Sequence, residues 1–159
     1  MGRRTAVVDA SVLIAILNRG DLHHAAAMRA IDEARGHSEL ALPMIAYAET
    51  WVGVARLKPA RREAIAAHVR ELMRLEPMTA SIAQRGAALR ARTGATLADA
   101  LVIATGQEID ASVILTANGR WKGWIAGSGW SLGSRDPPVR WSSRQRPPPA
   151  AGMRGDTHR

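Results

Sequence analysis

A chain of 159 residues with 47% hydrophobic content is long enough for one domain with a buried core. It contains no cysteine, which excludes disulfide frameworks, zinc–thiolate sites and cysteine nucleophiles. The net charge of +8 is unevenly spread: residues 1–116 carry 14 Lys+Arg against 12 Asp+Glu, and residues 117–159 carry 8 against 2, so the excess says little about the body.

Thr5-Ala6-Val7-Val8-Asp9 reads as a first strand, and Ser11 to about Leu17 as the helix that follows it. A second helix is capped by Asp21 and ends near Gly36. Glu39 to Leu42 is a short strand. Pro43 then suits the first helical position, where its missing N–H costs nothing, and that helix runs to about Leu57. Another helix spans Pro59 to about Arg74, and Leu75 to Met78 is a weak strand. Thr79 caps a helix reaching Arg92, and Gly94 stops it. Thr96 opens the next helix, to about Ile109, and Ser112 to Thr116 is the last clear strand. Short β runs alternating with helical patterns predict an α/β fold with a parallel sheet.

Residues 117–159 hold five of the eight prolines and four of the five tryptophans, and no period of 2 or 3.6 survives beyond Trp124. The expected organisation is a domain over 1–124 followed by a basic Pro/Gly/Arg/Trp-rich tail over 125–159, disordered or loosely docked. Met1-Gly2-Arg3-Arg4 leads straight into the first strand, without a signal-peptide core or an apolar run of about 20 residues. The expected setting is cytoplasmic, with no membrane association.

Three carboxylates stand in apolar sequence: Asp9 after Val7-Val8, Glu49 within Ile45-Ala46-Tyr47-Ala48-Glu49-Thr50-Trp51, and Asp99 within Leu97-Ala98-Asp99-Ala100-Leu101. Each has a plain structural explanation. Asp9 can cap the following helix, Glu49 can ion-pair or reach solvent, and Thr96-Leu97-Ala98-Asp99 matches a capping box. Ser11 can support a bound water or bond to backbone. As a set the acids mean more. They follow the first strand, sit in the helix after the second, and open the helix before the last, so right-handed crossovers bring them to one sheet edge. Clustered carboxylates repel one another at neutral pH, and a hard divalent cation such as Mg²⁺ relieves that repulsion. Such a cation also promotes attack of water on a phosphodiester.

The residues Val7 to Leu13, Pro43 to Glu49, Leu97 to Ala104 and Ile114 to Thr116 together resemble the PIN-domain family, and in particular VapC-type toxins of bacterial toxin–antitoxin pairs. The resemblance covers roughly residues 5–122. It implies a PIN-like three-layer α/β/α sandwich with a central parallel sheet, and a Mg²⁺- or Mn²⁺-dependent endoribonuclease. It also implies a homodimer inhibited by a VapB-like antitoxin. By position Asp9, Glu49 and Asp99 match the first three acids of the family's site as catalytic and metal-holding residues, and Thr116 matches the Thr of its Thr-x-Asp motif. The fourth acid is replaced by Asn118, which offers a neutral carbonyl ligand. Asn118, Thr116 and Ser11 are auxiliary candidates, and Arg120 and Lys122 are candidates for steering the RNA backbone. The alternative reading is an impaired PIN domain that binds antitoxin or RNA without cleaving.

Overall fold

The computed structural model describes residues 4–119, 121, 131–133 and 139–142. Its elements run β1 (Arg4–Val8), α1 (Ala10–Leu17), α2 (His24–Arg35), β2 (Ser38–Pro43), α3 (Met44–Val54), α4 (Pro59–Leu72), β3 (Arg74–Glu76), α5 (Ala80–Thr93), α6 (Leu97–Glu108), β4 (Val113–Thr116), β5 (Ser131–Gly133) and β6 (Val139–Ser142). The sheet order is β3-β2-β1-β4-β6-β5. The first four strands are parallel, with Val7 beside Ala41 of β2 and Ile114 of β4. This is the expected α/β architecture, a central parallel sheet flanked by six helices among the described residues.

The chain first builds outward from β1 through β2 to β3, then returns to add β4 on the other side of β1. That reversal makes the gap between β1 and β4 the switch point of the sheet, where parallel α/β folds open a crevice beyond the strand C-termini. Ala6, Val7, Val8, Ala41, Leu42, Ile114 and Leu115 are fully buried, as expected of strands covered on both faces. Helix α6 is apolar nearly all round, and every residue from Ala100 to Gly106 is buried.

The helix caps follow local chemistry. Thr79 Oγ1 accepts the N–H of Ile82 at 3.1 Å, and Gly94 ends α5 in the left-handed region at φ +70°, a conformation open to glycine without strain. Several boundaries differ from expectation: α3 ends at Val54 rather than near Leu57, α4 at Leu72 rather than near Arg74, and β3 spans Arg74–Glu76 rather than Leu75 to Met78. Helix α2 begins at His24, because Asp21 forms a turn ahead of it: its side chain accepts the N–H of His23 at 2.8 Å and its carbonyl the N–H of His24 at 3.0 Å. Pro43 is the last residue of β2, where it pairs with Glu76, and α3 starts one residue later. Beyond residue 125, β6 pairs antiparallel with β4 (Ile114 beside Trp141) and β5 with β6. Backbone pairing of this kind needs no side-chain period, which is why the sequence carries no sign of it. Among the described residues no helix is long and apolar enough to cross a membrane.

Helices α5 and α6 approach closely at Gly86. A Cβ there would lie 2.6 Å from Leu101 Cδ2 and 3.3 Å from its Cα. Gly86→Ala must repack the Leu101 side chain and press on the α6 backbone, and we expect it to cost about 1–3 kcal/mol of stability by denaturant unfolding.

Candidate functional site

Asp9 is the first residue beyond β1. It occupies the N-cap position of α1, with φ −80° and ψ 155°, and its carbonyl accepts the N–H groups of Val12 and Leu13 at 3.1 and 3.2 Å. Its side chain makes no cap hydrogen bond. The residue is only 4% exposed, and Oδ2 accepts two hydroxyl donors, Ser11 Oγ at 2.5 Å and Thr116 Oγ1 at 2.9 Å. The capping explanation for Asp9 is therefore replaced by a tertiary one.

Those hydroxyls are held in turn. Ser11 Oγ accepts the N–H of Ala117 at 3.0 Å, and Thr116 Oγ1 accepts the N–H of Asn118 at 3.0 Å. The backbone just past β4 thus aims both hydroxyl protons at Asp9. Thr116 is fully buried at the end of β4, and the β1–β4 register continues through the bond from Asp9 N–H to the Leu115 carbonyl at 2.9 Å.

Asp99 lies in the first turn of α6. Thr96 accepts its N–H at 3.2 Å and donates its hydroxyl to Oδ2 at 2.6 Å. The capping box takes a variant form, in which the carboxylate is bound by the cap hydroxyl. The indole Nε1–H of Trp121 donates to Oδ1 at 2.9 Å. Glu49 is exposed on α3 and forms one wall of an apolar groove of about 360 Å³ with Ile14, Leu17, Val54, Leu57 and Ile65. No ion pair joins Glu49 to a cation among the described residues.

The electrostatics tie the three acids together. Burial pushes the Asp9 carboxyl above its usual range; the Ser11 and Thr116 hydroxyls pull it back, and the charge of Asp99 pushes it up again. Glu49 is also raised, first by partial desolvation against the groove and then by the charges of Asp9 and Asp99. The fold thus gathers the three expected acids within electrostatic reach of one another. They do not form a tight cage: among the described residues no three acids lie close enough to enclose an ion. The donor set still suits Mg²⁺ or Mn²⁺, since it consists of hard oxygens and Mg²⁺ binds through one or two carboxylates while keeping several waters.

Asn118 is half-buried just past β4, at the same edge of the sheet, and its backbone carbonyl accepts the backbone N–H of Trp121 at 3.3 Å. Arg120 and Lys122 lie outside the described residues. Sequence reasoning missed Trp121. The signal available was a tryptophan shortly after the last clear strand, because a buried indole N–H requires an acceptor.

The PIN domain family matches the chain over residues 6–123. Among solved structures, VapC20 of Mycobacterium tuberculosis, described as a sarcin-ricin loop cleaving toxin, is 21% identical and superimposes with a TM-score of 0.60 over 77% of this chain and 94% of its own. A toxin–antitoxin complex from Klebsiella pneumoniae is 25% identical, with a TM-score of 0.60 over 77% of this chain and 91% of its own. VapBC2 of Rickettsia felis, bound to a DNA fragment from its promoter, is 14% identical, with a TM-score of 0.62 over 74% and 91%. No curated protein matches the sequence.

A carboxyl raised in the native state binds its proton more tightly folded than unfolded. Ionisation of Asp9 therefore removes stability as pH rises from the ordinary value of 3.8 through its native value. In chelator at neutral pH we expect Asp9→Asn to melt no lower than the wild type, with a flatter pH dependence on the acidic side. A lower melting temperature at every pH would show instead that the charged Asp9 serves to hold Ser11 and Thr116.

Proposed function

This chain belongs to the PIN domain family, and we propose that it is a metal-dependent endoribonuclease, the toxin of a VapBC-type toxin–antitoxin pair. The observation that carries the reading is the buried Asp9 carboxylate at the sheet's switch point, electrostatically coupled to both Asp99 and Glu49. The structural relatives support it in kind. One is described as a sarcin-ricin loop cleaving toxin and another is a toxin–antitoxin complex, so a VapB-like antitoxin is the proposed partner; a homodimer is the proposed assembly.

In this reading Asp9, Asp99 and Glu49 would hold Mg²⁺ or Mn²⁺. The bound cation supplies Lewis-acid polarisation of the phosphodiester and a more acidic water. Ser11 and Thr116 favour the ionised form of Asp9 and orient it by donating to Oδ2. Glu49, whose carboxyl is raised by partial desolvation and by the charges of Asp9 and Asp99, would accept the proton of the attacking water. Hydrolysis would leave a 5′-phosphate and a 3′-hydroxyl. Asn118 contributes a neutral oxygen at the edge, and Arg120 and Lys122 steer the RNA backbone. The nuclease domain is assigned to residues 1–124, with 125–159 as a basic appendage.

Purified protein should cleave single-stranded RNA in Mn²⁺ or Mg²⁺ and lose the activity in chelator. Asp9→Asn and Asp99→Asn should each lower the rate about a hundredfold or more. Absence of metal-dependent cleavage at any protein concentration overturns the reading. The replacement of the expected fourth acid by Asn118 favours one variant of it, a domain of weakened activity. In that case Asn118→Asp should raise Mn²⁺ affinity and cleavage rate several-fold, because a fourth carboxylate adds a charged oxygen ligand. Unchanged affinity and rate would remove position 118 from the site.

A further inference from the structure

Trp121 is fully buried, and its side chain packs into the main core. The indole has one polar atom, which can only donate, and burial obliges that donor to find an acceptor. A backbone carbonyl would satisfy it. Here the acceptor is instead Oδ1 of Asp99 at 2.9 Å, across 22 positions of sequence. The local requirement of the α6 cap is already met by Thr96, which accepts the Asp99 N–H and donates to Oδ2. The bond from Trp121 is thus additional to anything the helix needs, and it falls on the carboxylate whose charge reaches both Asp9 and Glu49.

We infer that Trp121 is a positioning residue, whose indole N–H on Oδ1 fixes the Asp99 carboxylate to receive a divalent cation. The inference rests on the reading of Asp99 as a cation ligand. Each carboxylate oxygen carries two lone pairs, so one donor on each still leaves one for a cation. Both donors are neutral. They hold the carboxylate plane without cancelling its charge, as a guanidinium or ammonium partner would. A ligand immobilised from two sides in this way loses little further freedom when the cation binds, which is the common arrangement for metal-binding carboxylates. Trp121 is thereby joined to the site while its side chain is seated in the core.

The test uses the full chain, with Mn²⁺ and Mg²⁺ as probes. Five tryptophans give five indole N–H resonances, and Trp121→Phe identifies the one of interest by its loss. In metal-free protein, Asp99→Asn should move the Trp121 resonance more than the other four. Mg²⁺ titration of the wild type should move it with the midpoint seen by calorimetry. Trp121→Phe should keep a cooperative thermal melt and weaken Mn²⁺ binding about tenfold or more. Unaltered Mn²⁺ affinity in Trp121→Phe, or an indole resonance that responds to neither Asp99→Asn nor Mg²⁺, overturns the inference. If Trp121→Phe fails to fold, the resonance is assigned by selective labelling and its two responses decide the matter. A flat wild-type calorimetric trace overturns the cation reading of Asp99 and the inference with it. Normal wild-type binding untouched by Trp121→Phe overturns the inference alone.

Discussion

A carboxylate that is 4% exposed must be neutralised, paired or hydrogen-bonded, and the way Asp9 meets that demand organises the C-terminal edge of the sheet. Among the described residues no basic side chain is paired with Asp9. Two hydroxyls meet the demand, one from α1 and one from the end of β4, and backbone N–H groups past β4 orient them both. Hydrogen bonds to a charged acceptor are each worth about 1.5–3 kcal/mol, less than full burial of the charge costs, which is why the Asp9 carboxyl stays raised. In the proposed cation-binding role, that incomplete compensation would leave Asp9 with affinity to offer a cation.

The parallel pairing of β1 with β4 is what makes the arrangement possible. It sets Leu115 beside Val8, so that Thr116 ends its strand level with Asp9. Shifting the β1–β4 register by one residue would turn the Thr116 side chain to the opposite face of the sheet and leave Asp9 with Ser11 alone. The apolar residues of both strands hold that register, since Val7, Val8, Ile114 and Leu115 are all fully buried. Core packing and site geometry are therefore the same constraint seen at two ends of the strands.

The other two acids differ from Asp9 in instructive ways. Asp99 stands at the start of α6, whose body is buried for seven consecutive residues from Ala100 to Gly106, so its position follows from the seating of the whole helix. That seating depends on the close approach of Gly86 to Leu101. Glu49 is the exposed member, on the wall of an apolar groove, and it alone of the three lacks a hydroxyl or indole partner among the described residues. Three chemically similar side chains thus have one buried, one clasped and one exposed setting. Different environments of this kind allow carboxylates to take different roles in one reaction.

Features governed by neighbours in sequence were legible from the chain alone. The four parallel strands and six helices, the Thr79 and Thr96 caps and the Gly94 stop depend on local hydrogen bonding and hydrophobic period. So did the three acids, which stood out because carboxylates are rare in apolar runs. Contacts between residues distant in sequence were decided only by the tertiary structure. Asp9 reads locally as a helix cap, yet Thr116, 107 positions away, helps draw its side chain off that role. Asp21 reads as a cap too, and the actual turn places the helix start at His24. Trp121 carried no period or motif to connect it with Asp99, because an indole N–H has no sequence preference for its acceptor. The pairing of β6 with β4 left no trace either, since main-chain hydrogen bonds are available to almost any residue. Local chemistry wrote the elements and the candidate acids into the sequence, whereas the choice of which oxygen meets which donor waited on strand register and helix seating.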